Sequence, residues 1–151
     1  MKILLIDDSE IIRQAITTLL SKVKGIESIR EASNVKKAMI LINDCRLDVV
    51  IMDIHLRHGN GLNILKYIKE KSSTILLIVL TNDVLPEYRK ICDDYNADYF
   101  FDKSTEFEKI VDVINKTRNK YFSQTKKKRI NGNEEKTPYN NRDHGATRLV
   151  V

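Results

Sequence analysis

Residues 47–61 read LDVVIMDIHLRHGNG, an apolar run followed by a polar, glycine-containing loop. Leu47–Met52 is a nearly continuous apolar run of strand length that stops at a carboxylate, Asp53. A run without polar alternation suits a strand covered on both faces, as in a parallel sheet. After Gly61 the pattern changes period, and Leu62, Leu65 and Ile68 mark one face of a helix. Lys2–Ile6 and Thr74–Leu80 repeat the strand signature, and Glu27–Ala32 and Asp98–Phe101 give weaker versions. Between them lie further helical stripes. Ile11, Ile12, Ala15, Ile16, Leu19, Leu20 and Val23 form the first, with Ser9 as its cap, and Val35, Ala38, Met39 and Ile42 the second. Leu85, Tyr88, Ile91, Cys92 and Tyr95 form the fourth, opened by Asp83. Phe107, Ile110, Val111 and Ile114 form the fifth, opened by Ser104 with Glu106 in its first turn. Five strand–helix units in series imply right-handed crossovers and an α/β architecture, a doubly wound five-stranded parallel sheet between two helical layers.

The chain has 151 residues, 42% of them hydrophobic and 31% charged, which suits one globular domain plus an appendage rather than two domains. The net charge of +5 is not spread evenly. Residues 1–118 balance 18 basic against 18 acidic side chains, whereas residues 119–151 carry 8 against 3. That basic stretch is also too poor in apolar residues to offset its ordering entropy. The expected division is a folded unit over residues 1–121 and a basic, disordered tail over residues 122–151. Cys45 and Cys92 form no CxxC and no zinc spacing, and both read as buried, inert thiols. No signal peptide and no apolar run of membrane-spanning length stands out, so the expected compartment is the cytoplasm.

In a sheet of this kind ligands bind outside the carboxyl ends of the strands. Asp7 and Asp8 end the first strand, Asp53 the third and Thr81 the fourth, and the fifth runs into Lys103. Three carboxylates drawn together repel one another and stay ionised only with cations among them. Lys103 supplies one positive charge, and Mg2+, a hard cation with oxygen ligands, suits the rest. A carboxylate beside magnesium, a lysine and a hydroxyl has the parts needed to receive a phosphoryl group.

These residues give the chain a specific resemblance to the receiver domain of two-component response regulators, running from Met1 to about Tyr121. It is carried by the acidic pair after ILLI, the DVVIMD strand, Gly61 eight residues beyond Asp53, the LTN containing Thr81 and the YFFDKS containing Lys103. The resemblance implies a flavodoxin-like fold with Asp53 as phosphoacceptor. It implies that Asp8 ligates Mg2+ directly, Asp7 mostly through water, and that the backbone carbonyl of His55 joins them. Thr81 then hydrogen-bonds the phosphoryl group, Lys103 pairs with it, and Phe100 takes the switch aromatic position. The implied donor is a phosphohistidine on a sensor histidine kinase or a histidine phosphotransfer protein. The implied output is altered binding of a downstream effector through the face of the fourth helix, fifth strand and fifth helix, with Tyr88, Lys90, Phe100 and Lys109 as candidate lining residues. Dimerisation on phosphorylation fits the same resemblance. Its chemistry is self-directed, phosphotransfer and autodephosphorylation on one residue, so the chain is not expected to be an enzyme. Arg57 and Ser104 depart from the family pattern, standing where prolines are usual, and Asn82 stands where a small residue is frequent.

Other readings compete. Asp7 and Asp8 can serve as a helix cap, and Phe100 can be an ordinary strand aromatic. His55 and His58 read first as residues of a solvated loop, although His55, opposite Asp83, is placed to tune dephosphorylation. The KKKR run at 126–129 could make the chain a constitutive interaction module binding nucleic acid or an anionic membrane. A phosphotransfer intermediate would need the same pocket as a switch. Nothing in the basic tail resembles a DNA-binding domain, so a stand-alone receiver is the expectation.

Overall fold

Alternate residues of the first strand face opposite layers: Ile3 and Leu5 pack with one buried cluster, Leu4 and Ile6 with the other. All four are fully buried, which is why the strand shows no polar alternation. In the computed structural model, which describes residues 1–72 and 74–131 with side chains through 120, five strands and five helices alternate. They are β1 (Lys2–Ile6), α1 (Glu10–Leu20), β2 (Ser28–Ala32), α2 (Val35–Asp44), β3 (Val49–Met52), α3 (Gly61–Lys71), β4 (Leu76–Thr81), α4 (Pro86–Asp94), β5 (Tyr99–Asp102) and α5 (Lys109–Asn131). The strands are all parallel in the order β2-β1-β3-β4-β5, the doubly wound, flavodoxin-like arrangement expected. The strand order reverses between β1 and β3, so Asp7 and Asp53 leave the sheet side by side at its switch point.

One core layer joins β-strand residues to Ala38, Ile42, Ile64, Leu65, Ile68 and Cys92, and the other joins them to Ile16, Leu20, Ile110, Val113 and Ile114. Thus α2, α3 and α4 cover one face and α1 and α5 the other. Ser9 caps α1 as expected, its hydroxyl accepting from the Ile12 N–H. Not all of the expected first stripe is buried, because seven positions span more of the helix than one sheet face covers. Ile11 is 78% exposed.

Two helix starts differ from expectation. Helix α4 begins at Pro86 rather than at Asp83. Proline suits the first helical turn, where its missing N–H costs nothing, and it pushes the preceding Leu85 to extended geometry. Helix α5 begins at Lys109, not at Ser104. Here the Asp102 carboxylate accepts from the Ser104 N–H and hydroxyl, and Glu106 accepts from the Asp102 N–H, so these groups close a turn first.

The chain divides into units Met1–Asn119 and Lys120–Val151. Within the second, helical backbone runs on to Asn131, through the first ten residues of the segment expected to be disordered. Lys, Gln and Arg are good helix formers, and neither Gly nor Pro occurs between Phe122 and Asn131. The rest of the expected tail lies outside the described residues. Cys92 is fully buried, and burial above all, with help from Asp93, pushes its thiol up to about 11. Cys45 departs from expectation, since it caps the C-terminus of α2 and is only partly buried.

Candidate functional site

Asp53 follows the last residue of β3, with its N–H bonded to the Ile6 carbonyl, and its side chain is buried. Oδ1 accepts from the His55 N–H at 2.9 Å, which leaves Oδ2 to Lys103 Nζ at 2.5 Å. The same ammonium lies 2.6 Å from Asp7 Oδ2. The three side chains are 6%, 4% and 9% exposed for Lys103, Asp7 and Asp53 respectively, so this is a buried triad of two carboxylates around one cation. Burial pushes the Lys103 ammonium toward deprotonation. Its hydrogen bonds and charge attraction to Asp53 and Asp7 more than reverse that, holding it above the ordinary lysine range. Asp7 is further held by the Ser9 N–H on Oδ1, while Arg13 Nη1 donates to its backbone carbonyl.

The loop from Asp53 to Gly61 is drawn tight against β3. Gly61 donates its N–H to the Ile54 carbonyl, and a Cβ there would lie 2.6 Å from Ile54 Cα and 2.7 Å from the Asp53 carbonyl oxygen. Only glycine permits that approach. Asn60 caps α3 through the Leu62 N–H.

Asp8 stands apart from the triad. Its Oδ2 accepts from the Arg57 N–H at 3.1 Å and pairs with Arg57 Nε at 3.2 Å. Thr81 is fully buried, and its hydroxyl accepts from the Asp83 N–H at 3.2 Å, while its carbonyl accepts from the Lys103 N–H. His55 turns its ring outward, with Nε2 3.3 Å from Asp83 Oδ2 and the ring edge-on to Tyr88 at 4.8 Å. His58 is exposed in the same loop. Phe100 lies in the core layer on the α4 side, 7% exposed, with the Arg89 guanidinium 4.6 Å over its ring. The structure therefore joins Asp7, Asp53 and Lys103 directly, ties His55 and Thr81 to them through hydrogen bonds, leaves Asp8 to Arg57, and keeps Phe100 inside. Sequence reasoning names none of Arg57, Arg13 and Arg89 as site residues. Only Arg57 left a signal, as a charge where the family pattern has proline.

Among the described residues, no three carboxylates, imidazoles or thiols converge closely enough to form a metal cage. Magnesium does not need one, since one or two carboxylates and several waters hold it. The donor set fits: oxygens only, at a point where Asp7 and Asp53 already share a cation and Asp8 holds another. A cleft of about 450 Å³ opens beside them, lined by Asp8, Ile54, His55, Arg57, Leu62 and Tyr88 among others. Among the described residues, no helix is long and apolar enough to cross a membrane.

Comparison with known proteins agrees with this fold. The transcriptional regulatory protein LytR of Staphylococcus aureus is 31% identical over 121 residues, covering 78% of this chain and 47% of LytR. This chain thus spans about half the length of that relative. A DNA-binding response regulator of the LuxR family from the same species superposes with a TM-score of 0.69 at 29% identity, covering 76% of this chain and 96% of that one. The same fold recurs at 23% identity and a TM-score of 0.66 in a Burkholderia pseudomallei response regulator with a phosphorylated aspartic acid, a calcium ion and citrate, covering 73% of this chain and 64% of that one. The family model of the response regulator receiver domain matches residues 3–115, more than half of the sequence: the chain belongs to the response regulator receiver family.

Proposed function

We propose that Asp53 accepts a phosphoryl group from a phosphohistidine on a sensor histidine kinase or a histidine phosphotransfer protein, and that the resulting acyl phosphate changes the binding of an effector in the cytoplasm. The observation that carries this is the Asp53 carboxylate, buried at the sheet's switch point with Oδ2 on Lys103 and Oδ1 on the His55 N–H. The Asp53 carboxylate attacks phosphorus, the phosphorus–nitrogen bond breaks, and its electron pair returns to the donor imidazole. Lys103 neutralises charge on the phosphoryl oxygens, and Asp7 keeps that lysine aimed into the site. Asp8, Asp53, the His55 carbonyl and Asp7 would hold Mg2+, which would supply charge neutralisation.

For output, the Thr81 hydroxyl leaves the Asp83 N–H and donates to a phosphoryl oxygen. That frees the segment after β4, where Val84 and Leu85 are 42% and 48% exposed. Lys90 of α4 and Lys109 of α5 are exposed on the neighbouring α4–β5–α5 surface, which the effector reads, whereas Tyr88 turns toward His55 and the cleft. Phe100 is already buried, so its part is to anchor α4 through Arg89 rather than to swing in from solvent.

Incubation with acetyl phosphate tests the chemistry by intact mass. The full chain gains one phosphoryl group when Mg2+ is present and none in excess chelator. A metal-independent gain sinks the proposal. His55 and Asp83 flank the approach to Asp53, so His55→Ala speeds loss of the acyl phosphate by about 3- to 10-fold, which lowers its barrier by about 0.6–1.4 kcal/mol. An unchanged rate would remove His55 from any part in the lifetime.

A further inference from the structure

We infer that Arg57 is a resident counter-cation for Asp8, which a divalent cation has to displace, so that this loop residue sets the metal affinity of the site. The inference rests on the phosphoacceptor reading above. Both the backbone N–H and the Nε of Arg57 reach the same oxygen, Asp8 Oδ2, from 49 positions away. The backbone bond pins the loop, and the side chain brings a full positive charge to a carboxylate that Lys103 does not serve. Lys103 is committed to Asp7 and Asp53. The chain thus meets its three carboxylates with two cations of its own, one buried and one exposed.

The two cations differ in how readily they give way. The Lys103 side chain is 6% exposed and enclosed by its partners, whereas the Arg57 side chain is 80% exposed. Exposed ion pairs couple weakly and are screened by salt, so Arg57 holds Asp8 loosely enough to yield to a dication yet still competes with it. Arg57 lines the same cleft as Asp8, His55 and Tyr88. A proline here, as the family pattern has it, could offer neither contact.

Isothermal titration of the full chain with Mg2+ tests this. Arg57→Gln binds Mg2+ about 3- to 10-fold more tightly than the unaltered chain at low ionic strength, and the gain shrinks toward unity in about 1 M monovalent salt. Arg57→Lys, which keeps the charge, stays within about 2-fold of the parent. Asp8→Asn weakens binding and erases the difference between arginine and glutamine at position 57. Unchanged or weaker binding by Arg57→Gln overturns the inference. So does an equal shift in Arg57→Gln and Arg57→Lys, since loop shape would then be the cause. Affinity that needs Asp8 but ignores Arg57 defeats this inference alone, whereas affinity that ignores Asp8 defeats the proposed metal site as well.

Discussion

Lys103→Met lowers the unfolding free energy by about 3–5 kcal/mol, the range found when one partner of a buried ion pair is removed. Methionine preserves most of the length of the side chain and deletes only the charge, so cavity formation is a minor part of the loss. What remains is Asp7 and Asp53, 4% and 9% exposed, facing each other without the ammonium that both now contact. Their other bonds, from the Ser9 and His55 N–H groups, stay in place and cannot offset two buried charges. Urea denaturation at pH 7 reads the effect as a lower midpoint at unchanged slope. The pH dependence has a definite sign. Because the folded protein holds the Lys103 ammonium above its ordinary value, that stability is complete below about pH 10.4 and is lost as pH rises through the higher folded value. The methionine variant lacks this alkaline component. A loss under 1 kcal/mol would mean that solvent, not Lys103, neutralises the site.

How much of this was legible in the sequence follows from what each feature depends on. The strands were readable because burial on two faces leaves an unbroken apolar run, as in Val49–Met52, and because chain order alone places strand ends on one edge. The convergence of Asp7, Asp53 and Lys103 is a consequence of that topology, so the residues could be named before any distance was known. Helix starts were harder. The expected opening of α4 at Asp83 followed capping preference, whereas the constraint that won was the backbone restriction around Pro86. The same happened at α5, where Ser104 has capping chemistry but spends its N–H and hydroxyl on Asp102. Two features were not decided by any periodic pattern. The contact of Arg57 with Asp8 joins an exposed loop to a strand end, and no local pattern encodes it. The burial of Phe100 beneath Arg89 depends on how α4 lies over β5, which alternation along Tyr99–Phe101 narrows to a choice of faces without deciding it.

Asp53→Asn abolishes the phosphoryl gain and yet leaves the fold equally stable, or more stable by up to about 2 kcal/mol. The two halves of this result have one cause. Two buried carboxylates share a single ammonium, an arrangement that serves a nucleophile and is poor for stability on its own. Asparagine keeps the shape of the side chain and an oxygen able to accept from either Lys103 or the His55 N–H, so packing and one of the two hydrogen bonds survive while one of the two competing charges disappears. The Asp7–Lys103 pair is then balanced one to one. The amide has no charged oxygen to attack phosphorus, so acetyl phosphate with Mg2+ adds no mass. Thermal unfolding beside intact-mass measurement reads both effects on one preparation. A retained mass gain would move the phosphoacceptor to another residue. A stability loss of more than about 1 kcal/mol would mean that the Asp53 charge holds the fold together, and the geometry at the end of β3 would then be structural first and chemical second.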